Sequence, residues 1–115
     1  KIKEITEEVE RRISKKGSET IIFEGDPAWK LVLAGPVASV IAAKYEKPTF
    51  IYKKMDNEST GSVRSLKEGE SSVQAMASCK DLLITYGGHP KASGFRIKNE
   101  NLEKFKTCLI EYFSK

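Results

Sequence analysis

Two hydrophobic periods alternate along this chain, and glycine or proline marks most of the changeovers. That alternation restricts the fold more than any other feature. A period of 3.6 makes one helix face, and a short β-branched or aromatic run makes a strand. Ile2, Ile5, Val9 and Ile13 form one stripe of an amphipathic helix, with Glu7–Arg11 and Glu8–Arg12 at i,i+4 spacing and Gly17 as its stop. The stripe suits equally a connector to another domain or a helix packed on its own domain. Thr20-Ile21-Ile22-Phe23 reads as a strand closed by Gly25-Asp26-Pro27. Trp29–Ala34 is a second apolar run, broken at Gly35-Pro36. Val37, Ala38, Ile41, Ala42 and Tyr45 then follow at helical spacing as far as Lys47-Pro48.

Thr49-Phe50-Ile51-Tyr52 and Gly61–Ser65 read as strands around a turn over 53–61. Ser71-x-x-Gln74 has the form of a capping box and predicts a helix with Val73, Met76, Ala77 and Leu83 inward, ended by Gly87-Gly88. Ser93–Ile97 reads as a strand. Asn99 is placed to cap a last helix carrying Leu102, Phe105, Leu109 and Tyr112. The order α-β-(β)-α-β-β-α-β-α predicts an α/β fold. Its mixed β-sheet has about four to five strands flanked by helices. An N-terminal connector helix over residues 1–17 precedes the domain proper, residues 18–115.

Composition limits the chemistry. The chain has 115 residues, 20 Lys and Arg against 16 Asp and Glu, and one histidine. This suits one globular domain with a mild basic excess, and no apolar run approaches the ~20 residues of a membrane span. Asp26, Asp56 and Asp81 are scattered, and none is near His89 in sequence. Metal sites need clustered ligands, so a self-contained metalloenzyme is not expected. Cys79 and Cys108 lie 29 positions apart without C-x-x-C pairing, and both sit in apolar helical patterns. They read as buried free thiols of a cytoplasmic protein. No secretory-type start is present, and the first residue, Lys1, suggests a piece of a longer chain.

Three stretches break the ordinary pattern. In Gly87-Gly88-His89-Pro90-Lys91-Ala92-Ser93-Gly94, glycines and small residues allow close approach to the backbone. His89, Lys91 and free backbone N–H groups would suit an anion such as phosphate. The same octet is also consistent with a plain connection carrying an incidental histidine. In Gly61-Ser62-Val63-Arg64-Ser65, strand alternation puts Ser62 and Arg64 on one face and Val63 and Ser65 on the other. Arg64 beside hydroxyls is either a phosphate clamp or an exposed edge-strand arginine. Trp29 reads as core or interface, with base stacking as the alternative.

Taken together and in this order, these stretches resemble the DHH-associated domain, the C-terminal half of many DHH phosphoesterases. Gly87-Gly88-His89-x-x-Ala92-Ser93-Gly94 looks like its GGH-x-x-A-[AS]-G signature. Gly61–Ser65 is similar to the G-S-x-R-S strand of the RecJ branch, and Trp29…Gly35-Pro36-Val37-Ala38-Ser39 to its W-H-x-G-V-x-G-I-V-A-S segment. Lys30, Leu31 and Val32 depart from that last pattern.

The resemblance implies the substrate-binding domain of a metal-dependent exonuclease acting on single-stranded DNA or RNA. Manganese or magnesium would sit in an N-terminal DHH domain of the same chain, and this domain would hold no cofactor and no catalytic metal. It implies substrate contacts from Ser62, Arg64, Ser65, Gly87, Gly88, His89, Lys91, Ala92 and Gly94, with His89 assisting the active site of the parent enzyme. Two alternatives remain within the resemblance. One is a phosphoesterase for short RNA or cyclic dinucleotides, and the other is an inactive replication or repair scaffold.

Overall fold

The computed structural model describes all residues, Lys1–Lys115. The elements in chain order are α1 (Ile2–Lys16), β1 (Ile22–Asp26), α2 (Ala34–Tyr45), β2 (Thr49–Lys54), β3 (Glu58–Arg64), α3 (Ser72–Ser78), β4 (Leu83–Gly88), β5 (Ala92–Lys98) and α4 (Leu102–Phe113). The five strands form one sheet in the order β1-β2-β3-β5-β4. β1 and β2 run parallel, joined by the crossover through α2, and the other neighbours are antiparallel. This is the expected α/β fold with a mixed sheet.

Strand alternation divides the interior into two cores. On one face Phe23, Phe50, Val63, Phe95 and Ile97 pack beneath Met76 of α3 and Phe105 and Leu109 of α4. The Phe105 ring stands edge-on to Phe95 and Phe50, with centroids 5.2 and 6.0 Å apart. Burying each such side chain contributes about 1.5–3 kcal/mol. On the other face Ile22 and Ile51 meet Val9 of α1, Val37, Ala38 and Ile41 of α2, and Trp29. The α1 stripe therefore packs within this domain, chiefly against α2. Arg12 holds it there through Glu8, Glu24, the Gly25 carbonyl and Asp26. Arg11 turns to Glu8 rather than to Glu7. Gly17 ends α1 at φ 81°, with its N–H donating to the Ile13 carbonyl.

Three local expectations need correction. The run Trp29–Ala34 is not a strand. Asp26 accepts the Ala28 N–H at 2.8 Å, forming a turn, and a single 3₁₀ turn over Leu31–Leu33 leads straight into α2. The helix opened by Ser71, which does accept the Gln74 N–H, ends at Ser78 rather than at Gly87. Leu83–Gly88 instead forms edge strand β4, because Leu-Ile-Thr-Tyr is strand-prone and β5 offers it a free edge. Asn99 does not cap α4. Its amide donates to the Met55 carbonyl at 2.6 Å and its side-chain oxygen accepts from Ser59, closing the β2–β3 turn.

The cysteines also differ from expectation. Cys79, just after α3, is joined to Cys108 on α4 in a disulfide, with Cα atoms 6.2 Å apart. Packing of α3 against α4 brings together two residues whose separation in sequence carried no sign of contact.

Helix coverage of the sheet is uneven. α2 lies over β2 and β3 and α1 packs beside it, so on this side β5 and β4 are bare. Along β5, Ser93, Phe95 and Ile97 are buried, whereas Ala92, Arg96 and Lys98 are exposed and Gly94 is half-exposed.

Candidate functional site

The bare half-face carries most of the residues singled out in the sequence. Register places Ser62 of β3, Gly94 of β5 and Gly87 of β4 in one row across three strands. In the next row towards the β4–β5 turn, Arg64 stands opposite Ala92. With two glycines in the row beside Ser62, the floor is flat backbone over two strand widths.

The glycines of this region are present for different reasons. Gly88 has φ 130°, and a Cβ there would stand 2.7 Å from the Ala92 carbonyl oxygen. A Cβ on Gly61 would strike the Phe95 ring, and one on Gly94 would press on the Gly61 carbonyl oxygen at 3.1 Å. Gly87 meets neither constraint. Its φ is ordinary, and a Cβ there would meet nothing within 4 Å. Nothing inside this chain requires glycine at 87, which suits a surface approached from outside.

The octet is the β4–β5 hairpin rather than a helix-to-strand connection. His89 N–H donates to the Ala92 carbonyl at 2.9 Å, and Ala92 N–H donates to the His89 carbonyl at 3.2 Å, with Pro90 at the position a tight turn prefers. The tip is anchored from below. The Pro90 carbonyl accepts both the backbone N–H and the hydroxyl of Ser72, each at 2.9 Å, and the Lys91 carbonyl accepts the Ser65 N–H at 3.0 Å. The Ser72 and Ser93 hydroxyls are 2.6 Å apart. The backbone on which His89 stands is thereby held, while its imidazole is exposed and makes no hydrogen bond within the chain. Lys91 makes only an exposed pair with Glu68 at 3.4 Å, too weak to immobilise it.

Arg64 is the fixed cation of the site. Its Nε donates to the Ser39 hydroxyl at 3.0 Å and its Nη1 to the Val63 carbonyl at 2.9 Å. No carboxylate pairs with it, unlike Arg96, which is held by Glu58 at 3.0 Å. Ser62 is half-buried beside it, on the same face. Ser65 lies apart. It is fully buried on the opposite face, and its hydroxyl donates to the Glu70 carbonyl. Trp29 is buried, with the Arg12 guanidinium 4.9 Å from its ring centroid, and offers no open stacking surface.

Ser39, Gly35 and Ser72 support this site and were not recognised as doing so from the sequence. Gly35 and Ser39 belong to the segment that carries the resemblance, but nothing in it pointed to Arg64, and Ser72 was signalled only by its place beside a helix cap. The structure brings Ser62, Arg64, Gly87, Ala92 and Gly94 to one face, with Gly88, His89 and Lys91 at its end. It holds no group of three His, Cys, Asp or Glu side chains that could bind a metal ion. The chemistry on offer is donation to an anion by a guanidinium, an imidazole and an ammonium over an open backbone floor.

Comparison with known proteins gives a consistent family. The family model described as the DHHA1 domain matches residues 18–115. The chain is 27% identical over 114 residues to the single-stranded-DNA-specific exonuclease RecJ of Bacillus subtilis, covering 96% of this chain and 14% of that protein. It is 36% identical over 87 residues to the protein of the same name from Thermus thermophilus, covering 76% of this chain and 12% of that protein. The crystal structure of Thermus thermophilus RecJ in complex with Mn2+ superimposes with a TM-score of 0.80 at 30% identity, covering 98% of this chain and 17% of that one. The chain thus spans under a fifth of the length of these relatives. It belongs to the DHHA1 family and is a DHH-associated domain of the RecJ-like exonuclease type.

Proposed function

We propose that this chain is the substrate-binding domain of a longer, metal-dependent exonuclease that acts on single-stranded nucleic acid. The observation that carries this reading is the Arg64 guanidinium. It is fixed on two sides, lacks a carboxylate, and stands at the rim of a glycine floor. An extended sugar-phosphate backbone could lie along that floor, with Arg64 and Ser62 gripping one phosphate and His89 donating to the next reacting group. No group of three His, Cys, Asp or Glu side chains in this chain could bind a metal ion, and in this reading manganese or magnesium would be held by a DHH domain of the parent, in line with the Mn2+ complex of the Thermus thermophilus relative. The role of this domain is to orient the strand, which lowers the barrier by positioning rather than by bond chemistry.

The test uses the intact parent protein and a labelled single-stranded DNA. Arg64→Ala should weaken binding by about 10- to 100-fold, as expected for hydrogen bonds to a charged group. It should also reduce the salt dependence by about one phosphate contact. His89→Ala should lower exonuclease turnover while leaving thermal unfolding unchanged. Wild-type binding by the Arg64 variant together with wild-type turnover by the His89 variant would sink the proposal. A length series of oligonucleotides checks the substrate class, because strand binding gains affinity with length and dinucleotide binding does not.

A further inference from the structure

Arg64 is held by a neighbouring helix as well as by its own strand. Gly35 and Ser39 are one helical turn apart on α2, so they share the flank that faces β3. Ser39 takes the Nε proton of Arg64 at 3.0 Å. A Cβ at Gly35 would lie 2.8 Å from Nη2, so glycine is what leaves room for that nitrogen. The Val63 carbonyl takes a proton of Nη1 at 2.9 Å. Of the five N–H donors of a guanidinium, two have partners in the chain, and both on Nη2 are left without one, as is the second on Nη1. The side chain would otherwise sample many rotamers, and three contacts from two elements limit it to one.

We infer that Gly35 and Ser39 are positioning residues that aim the Arg64 guanidinium, leaving its Nη2 donors free for a phosphate oxygen. This inference rests on the reading of Arg64 as a phosphate contact and adds to it which part of the fold sets the angle of approach. Neither residue touches the ligand. Each acts on affinity through Arg64 alone, so its effect must vanish when Arg64 is removed.

The two positions make the inference separable from plain stability. Gly35→Ala puts a methyl 2.8 Å from Nη2, with the Ser62 hydroxyl in ordinary contact at 3.7 Å, so the helix is kept and the guanidinium is displaced. Thermal unfolding of that variant should be unchanged or raised, while binding falls. A residue with a merely structural role would move both in the same direction. Ser39→Ala removes the acceptor of Nε, and Ser39→Thr restores a hydroxyl.

The experiment measures the affinity of the intact protein for a single-stranded oligonucleotide, together with thermal unfolding. The set comprises wild type, Ser39→Ala, Ser39→Thr, Gly35→Ala, Arg64→Ala and the two doubles with Arg64→Ala. Ser39→Ala and Gly35→Ala should each weaken binding about 3- to 10-fold, the scale of one hydrogen bond. Ser39→Thr should stay within about twofold of wild type on the same scale. Neither double should bind more weakly than Arg64→Ala alone. Wild-type affinity in both single variants, or losses that add fully to that of Arg64→Ala, overturns the aiming role while the phosphate contact stands. Wild-type affinity in Arg64→Ala overturns the contact itself, and the aiming role with it.

Discussion

Arg12 of α1 donates to Asp26 at the end of β1 across 2.7 Å, and the same guanidinium lies over the ring of Trp29. It also reaches Glu8, Glu24 and the Gly25 carbonyl. One side chain therefore joins the first helix, the first strand and the turn that follows it. Its pKa is held above the usual guanidinium value. Burial pulls the other way, but the hydrogen bonds to Glu8 and Asp26 outweigh it.

Removing this clamp should loosen α1. Arg12→Ala leaves Glu24 buried with Lys16 as its sole charge partner and uncovers Trp29. The expected loss is about 1–3 kcal/mol, the range for breaking a partly buried charged hydrogen-bond group. Urea unfolding measures it, and a loss below about 0.5 kcal/mol would show that the contacts are only surface pairs.

The Asp26 carboxyl adds a pH dependence. Its pKa is lowered from 3.8, first by the Ala28 N–H, with burial opposing and Arg12 adding to the effect. A depressed carboxyl contributes stability that is fully present above its unfolded pKa and is lost as pH falls through the folded value. Asp26→Asn should cost about 1 kcal/mol at neutral pH, the net worth of one hydrogen bond. That difference from wild type should shrink below about pH 4. Thermal unfolding of both proteins across the acid range checks the sign, and a constant difference would contradict it.

Adjacent glycines should respond in opposite ways. Gly88→Ala forces a side chain onto φ 130° and within 2.7 Å of backbone atoms of Ala92 and Ser93, so a loss of about 2 kcal/mol or more is expected. Gly87→Ala meets nothing within 4 Å and should change stability by less than about 0.5 kcal/mol. Yet it raises a methyl from the floor and should weaken binding of single-stranded DNA. Equal stability losses at the two positions would contradict the hairpin geometry.

The disulfide joins α3 and α4 through residues 29 apart in sequence. Loop entropy for that length corresponds to about 3–4 kcal/mol. Reductant should lower the unfolding temperature, and Cys79→Ser should lower it by a similar amount and make it insensitive to reductant. Alkylation of both thiols in the untreated native protein would show that the bond is absent. Because α3 also carries Ser72 beneath the Pro90 carbonyl, the same treatment should speed amide exchange at the hairpin tip.

Much of the site was legible from short-range pattern. The alternation Ser62-Val63-Arg64 placed Ser62 and Arg64 on one face, as observed, and the same alternation already turned Ser65 the other way. The capping role of Ser71 and the stop at Gly17 are local chemistry and appear as expected. Leu83–Gly88 was misread because its apolar residues fit a helix continuing from Met76 as well as a strand, and only the free edge of β5 decides between them. Asn99 looked like a cap because caps and turn ties use the same amide chemistry, and its partners Met55 and Ser59 lie some forty residues back.

The two periods, the alternation along β3 and the octet with its single histidine were determined by the sequence alone, because each depends on neighbours within about one or two turns of chain. Tertiary structure decided the row Ser62–Gly94–Gly87, the hold of Ser39 and Gly35 on Arg64, and the bond between Cys79 and Cys108. Each of these joins segments far apart in the chain. Their meeting is set by strand register and by how closely small residues let α2 lie on the sheet, quantities that no local pattern contains.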